Sequence, residues 1–277
     1  MNILHSFKMN RCLQSARTTI LLASMALIPS VFASDLEREK RMANEISEAI
    51  LDGEPVWLNA GSITFLGIAT MALEQPAMGN VIILHGRGYH PDWVEVVNPL
   101  RVGLAEQGWN TLSLQMPVLE KSAKYYDYVP IFEEALPRIN AGIQYIREQN
   151  DLPVVLIAHS CGAHMAMEWV RKVGDETIDA YVGIGMGATD YGQPMLEPFP
   201  LDGMKVPVLD VYGAEEFPAV IRMAPERLAM MRKAGSPHSE QIVVSDSDHY
   251  FHDRGAPLLE VVSTWLNRVS GSKDWAK

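Results

Sequence analysis

Cysteine is nearly missing from this chain of 277 residues, which holds two. Cys12 falls in an N-terminal stretch that reads as a removable leader, so the body keeps Cys161 alone and no internal disulfide can staple it. There is no CxxC pair and no HxxxH or HExxH spacing. Neither dithiol redox chemistry nor a metal site is expected, and no cofactor. Basic residues are in deficit too, 23 Lys+Arg against 34 Asp+Glu, a formal net charge of −11. A surface of that sign repels phosphate backbones and no local basic patch reverses it, so nucleic acid is not an expected partner. Beyond the N-terminus no apolar run is long enough to span a bilayer. Low-complexity tracts and internal repeats are absent as well. What remains is 48% hydrophobic, 21% charged and 8% aromatic, enough apolar material for a core that needs no covalent help.

The N-terminus has a different texture. Lys8, Arg11 and Arg17 form a positive region with no acidic residue, and Thr18 to Ile28 is an apolar run of signal-peptide length. Pro29 breaks it, and Val31-Phe32-Ala33 places small or β-branched residues where a signal peptidase reads them. Cleavage is expected after Ala33, leaving a leader over 1–33 and a single domain over 34–277, exported to a periplasm or secreted. An uncleaved anchor is the alternative, and peripheral membrane contact is left open.

From Asp35 to Leu51 apolar residues recur at helical spacing, closed by Asp52-Gly53. Val56–Leu58 and Ile63–Met71 read as strands around a hairpin signal at Asn59-Ala60-Gly61. Val81–Leu84 and Val154–Ile157 are continuous apolar runs, as in strands buried on both faces of a parallel sheet. Between and after them the pattern predicts strands at Thr111–Leu114, Ala180–Ile184, Val206–Val211 and Gln241–Val244. Helices are predicted over 92–107, with an Asp92/Glu95 capping box, and over 130–148, 161–173 and 257–269, with a further helical stretch reaching Ala234. Strand and helix alternate, so the expected class is α/β: an open, mostly parallel sheet with helices on both faces. The segments after Ile184 and after Met116 are too short in helical period for a large cap domain.

The sharpest local signal is Ala158-His159-Ser160-Cys161-Gly162, directly after a buried strand and before a helix. A G-x-S-x-G elbow lifts its serine hydroxyl above the sheet edge on a strained turn that needs tiny neighbours, and here the first glycine is Ala158. The bland alternative is a tight turn with Ser160 as helix N-cap. A serine nucleophile needs a base, the base a carboxylate, and the developing oxyanion backbone donors. Candidates stand at predicted strand ends in the order Ser, acid, His. His85-Gly86-Arg87-Gly88 could supply the Arg87 amide to pair with that of Cys161. Glu216 is the first choice as acid and Glu215 the second, with Asp210 read as a buried structural acid. His249 is the base, with His252 as runner-up. His85 reads as structural. Arg87 and His90 either bind an anionic substrate group or are solvated loop residues. Tyr125 and Tyr126 either line a cleft or pack on the neighbouring helix.

Taken together, His85 to Trp93, Gly108 to Pro117 and Ala158 to Ala166 resemble a bacterial family of exported α/β-hydrolase-like proteins without an assigned substrate, and the match to the α/β-hydrolase superfamily runs from about Val81 onward. The resemblance implies a nucleophile at Ser160, a base at His249, and Glu216 in place of the commoner aspartate. A serine nucleophile with its base and acid is expected to hydrolyse a small-molecule or polymeric acyl substrate, an ester before an amide or peptide. Ala158 and Glu216, the two departures, leave room for a degenerate site that binds a cell-envelope partner or ligand instead. Thiol chemistry at Cys161 is a third and weaker reading.

Overall fold

The computed structural model describes residues 33–272. The expected leader, apart from its last residue, therefore lies outside the described residues. Helix α1 (Leu36–Ala49) opens on Asp35, whose carboxylate accepts the Arg38 amide at 2.9 Å, as an N-cap should. Strands β1 (Glu54–Ala60) and β2 (Ile63–Thr70) form an antiparallel hairpin closed at Ala60–Ile63, with Gly61 at φ +64° making the turn. Then come β3 (Gly79–Leu84), α2 (Val97–Glu106) and β4 (Trp109–Leu114). The single turn α3 (Tyr125–Tyr128) runs into a 3-10 helix over Val129–Glu134 and α4 (Ala135–Gln149). After these follow β5 (Val154–His159), α5 (Cys161–Val173), β6 (Ala180–Ile184), β7 (Val208–Glu215), α6 (Pro218–Ala234), β8 (Glu240–Asp248) and α7 (Gly255–Ser270).

The eight strands make one sheet in the order β1-β2-β4-β3-β5-β6-β7-β8, with every pair from β4 to β8 parallel and β2 antiparallel to both neighbours. The alternation within the central strands divides the core in two. Ile82, Leu84, Leu156 and Ala158 face one way and pack with Ile139 and Ile143 of α4 and Trp169 of α5. Val81, Ile83, Val155 and Ile157 face the other way, onto Leu100 and Leu104 of α2 and Val262, Trp265 and Leu266 of α7. Strands apolar at every position are thus explained by burial on both faces.

Two expected helix boundaries are corrected. Asp92 caps nothing: its carboxylate is taken by Arg101 Nη2 at 2.5 Å and Asn98 Nδ2 at 2.9 Å, turns occupy this stretch, and the helix begins at Val97. The α-helix expected from Pro130 begins only at Ala135. Pro137 has no N–H to give the Glu133 carbonyl, which removes one α-helical bond at this point, and the six residues before α4 are 3-10. Strands β7 and β8 also run farther toward their carboxyl ends than the apolar runs suggest, to Glu215 and Asp248, and the acid and the histidine of the site follow directly after them.

Asp210 is, as its place inside β7 suggests, a buried structural acid, accepting Arg227 Nε at 2.8 Å and Gln241 Nε2 at 2.7 Å. Both members of this ion pair are almost fully buried, so removing one strands the other. Arg227→Met is expected to cost about 3–5 kcal/mol in urea unfolding, with part of the loss recovered in Arg227→Met/Asp210→Asn. A cost indistinguishable from zero would show the pair to be dispensable.

Candidate active site

The turn after β5 carries the site. Ser160 sits at φ 54°, ψ −116°, a sparsely populated backbone region that persists only where surroundings hold it. Its own N–H is tied to the Ile184 carbonyl at 2.8 Å, and its carbonyl accepts the Ala163 amide at 3.0 Å. Small residues are required close by. A Cβ at Gly162 would meet the His85 carbonyl oxygen at 2.5 Å, and one at Gly86 would meet the His159 ring at 2.9 Å. Ala158, the departure from the elbow pattern, lies fully buried between Leu84 and Gly183 in the sheet register, and the turn forms with its methyl in place.

Three side chains meet there. His249, just past β8, brings Nε2 to 2.7 Å from Ser160 Oγ, and its Nδ1 lies 2.5 Å from Glu216 Oε1. An ionised carboxylate can only accept, so Nδ1 carries the hydrogen and Nε2 is left to accept the serine hydroxyl. Glu216 follows β7 and is buried, also receiving the Phe217 amide at 2.8 Å, whereas Glu215 is exposed. His252 is exposed and bound through Nδ1 to Asp248 at 2.6 Å, away from Ser160.

Further groups hold this arrangement, and sequence patterns singled out none of them. Phe217 stacks on the His249 ring at 4.4 Å between centroids, and Tyr250 meets it edge-on at 5.1 Å. His159, fully buried, stands 3.0 Å from the His249 carbonyl through Nε2, and burial lowers its pKa to about 3. It is neutral, and its N–H donates to that carbonyl. Gly185, at φ +60°, leaves room that a Cβ would take from His249 and Glu216, at 2.9 and 3.2 Å. The only signal for it was a glycine right after a buried strand.

His85 is a structural residue. It is buried, its Nε2 accepts the Met116 amide at 2.9 Å, and burial lowers its pKa to about 3. The backbone of Arg87 lies in the loop that passes Ser160, and Cys161 is the first residue of α5, so its N–H has no acceptor within that helix. The Cys161 thiol is pushed up to about 12 by burial.

A small cavity of about 50 Å³ opens at Ser160, with Arg87, Tyr89, Tyr125, Phe217 and Tyr250 in its walls. The Arg87 guanidinium is ion-paired with Asp190, which also accepts the Tyr125 amide at 2.7 Å. Burial alone would raise Asp190, but the bonds from Arg87 and Tyr125 hold it below the usual carboxylate range. Two residues expected at the pocket lie elsewhere. The Tyr126 side chain turns outward and donates to the Pro194 carbonyl at 3.2 Å, because α3 is a single helical turn that sends neighbouring tyrosines in different directions. His90 is folded back on its own turn, its Nδ1 accepting the Asp92 amide at 3.3 Å. Among the described residues no cluster of His, Cys, Asp and Glu is placed to hold a metal ion, and no helix is long and apolar enough to cross a membrane.

The strand order, the serine turn and the strand-end histidine and carboxylate define the α/β-hydrolase fold, and solved structures agree. A dienelactone hydrolase from Anabaena variabilis ATCC 29413 superimposes with a TM-score of 0.63 at 20% identity, over 78% of this chain and 97% of its own. Est1E from Butyrivibrio proteoclasticus gives 0.59 at 14%, over 80% and 100%. An α/β serine hydrolase without lid from Xanthomonas campestris gives 0.56 at 13%, over 81% and 98%. At such identities the likeness is one of fold. The chain itself belongs to the family described as "Protein of unknown function (DUF3530)", whose model matches residues 28–130 and 131–268. No curated protein matches it in sequence.

With its thiol near 12, Cys161 is deprotonated at pH 8 to roughly one part in 10⁴. Iodoacetamide at pH 8 should leave Cys161 unmodified in the native protein and alkylate it after denaturation, as read by peptide mass spectrometry. Rapid native alkylation would restore the thiol reading.

Proposed function

We propose that the protein is a serine hydrolase that transfers the acyl group of a carboxylic ester to water, with Ser160 as nucleophile, His249 as general base and acid, and Glu216 as orienting carboxylate. One observation carries the reading: the unbroken contact from Glu216 Oε1 through both nitrogens of His249 to Ser160 Oγ. Ser160 Oγ bonds to the substrate carbonyl carbon while its proton passes to His249 Nε2, and the carbonyl π electrons move onto oxygen. The amides of Cys161 and Arg87 receive that oxyanion as fixed, preorganised donors. Collapse expels the alcohol, which takes the proton from His249. A water then repeats the sequence on the acyl-enzyme, releasing the acid and restoring Ser160.

The cavity at Ser160 admits little beyond the reacting carbonyl and a small group, so the bulk of a larger or polymeric substrate would lie outside it. Esters come before amides because their alcohol leaves more readily. These steps use protein groups and water alone. If the leader acts as its composition suggests, the reaction takes place outside the cytoplasm.

A fluorophosphonate probe should label the wild-type protein and not Ser160→Ala. Hydrolysis of a p-nitrophenyl ester should fall roughly 10⁴-fold or more in Ser160→Ala or His249→Ala, and by up to about 10⁴-fold in Glu216→Gln. Absence of labelling in the wild type would instead favour a degenerate, ligand-binding member of the fold; equal labelling of both proteins would move the nucleophile elsewhere.

A further inference from the structure

The first described residues lie against the body in an unusual way. Ala33 is exposed, whereas Ser34 is buried, 7% accessible. The change falls at the bond that the leader's pattern marks for cleavage. On the buried side the Ser34 main-chain nitrogen stands 3.2 Å from each carboxylate oxygen of Glu134. A peptide N–H can only share its single hydrogen between the two oxygens. An ammonium has three, and the charge a carboxylate seeks.

We propose that this is a receptor for a processed N-terminus: hydrolysis of the Ala33–Ser34 bond frees the Ser34 α-amino group, and the resulting ammonium pairs with Glu134. The co-reactants are water and a leader peptidase of the exporting membrane. Water adds to the Ala33 carbonyl carbon, the C–N bond breaks, Ala33 leaves with a carboxylate, and the Ser34 nitrogen takes up protons to become the ammonium. Nearby charges are arranged for this. The positive end of the α1 dipole opposes an ammonium, but Asp35 before the first turn and Glu37 within it offset it. Arg138 is engaged with Glu39 at 2.7 Å and with the Gln115 carbonyl at 3.1 Å, and it meets Ser34 at the hydroxyl, 3.4 Å away.

The contact matters because α1 braces the candidate site. The Asp35 amide donates to the Val118 carbonyl at 2.7 Å, and Glu39 accepts the Val118 amide at 3.1 Å. Arg38 reaches across to the Leu119 carbonyl and, at 3.0 Å, to that of Gly88, in the same loop as Arg87. An ammonium anchored at Glu134 therefore holds the start of the helix that holds both loops.

Every described element and both major core clusters lie within 34–272, so the processed chain contains all of the folded body. Two forms of it discriminate: one beginning at Ser34, and one extended by Ala33, which turns the amine into an amide. The Ser34 form is expected to melt about 2–4 °C higher, and the gap should vanish when both carry Glu134→Gln. Equal melting of the two wild-type forms overturns the pairing, and so does a gap that persists in Glu134→Gln. Sequencing of the exported protein should begin at Ser34; a retained leader or another first residue overturns the cleavage site. Neither readout depends on hydrolase activity.

Discussion

The site rests on a close approach of two backbones. The turn that carries Ser160 and the loop after β3 pass so near each other that Gly162 has no room for a methyl group against the His85 carbonyl, and Gly86 has none against His159. Parallel pairing of β3 and β5, in register from Asn80–Val154 to Leu84–Ala158, brings the two segments to the same sheet edge. The positive φ of Ser160 is the local cost of that approach, and the hydrogen bond from its amide to Ile184 ties the turn to the next strand as well. Disturbing the contact would move the hydroxyl, the N-terminus of α5 and the Arg87 loop together.

Around that contact the histidines divide by environment. His85, His159 and His164 are buried and pushed well below the ordinary imidazole value, to about 3, 3 and 4, mainly by loss of water. They serve as neutral hydrogen-bonding blocks beneath the turn. His249 differs in having a carboxylate on one nitrogen and a hydroxyl on the other. Aromatic rings on two sides leave it little freedom to rotate, so the alignment does not depend on a substrate to create it.

Much of this was legible in the residues. Continuous apolar runs marked β3, β5 and β6, because strands covered on both faces need no polar side. The boundaries of α5 followed from Ser160 before it and Gly174 after it. The serine came from its elbow pattern between strand and helix, the histidine from its strand-end position, and Glu216 as first choice over Glu215 with help from the family resemblance. The helix after β3 could not: Asp92 has the form of an N-cap, but a distant arginine, Arg101, claims its carboxylate, and nothing local announces that. Tyr126 and His90 show the same limit, since which way a loop side chain turns is set by what it meets.

Local pattern, then, determined the class of fold, the order of its elements and the chemical types at each strand end, since hydrophobic period, turn residues and capping all act over a few neighbours. Tertiary structure alone decided the convergence: that residues 160, 216 and 249 meet within hydrogen-bond distance, that Gly185 clears space for two of them, that Arg38 ties α1 to the loops of the site, and that Glu134 meets Ser34 across a hundred residues. Those contacts span long stretches of chain, and a sequence read along its length carries no distance between residues that only folding brings together.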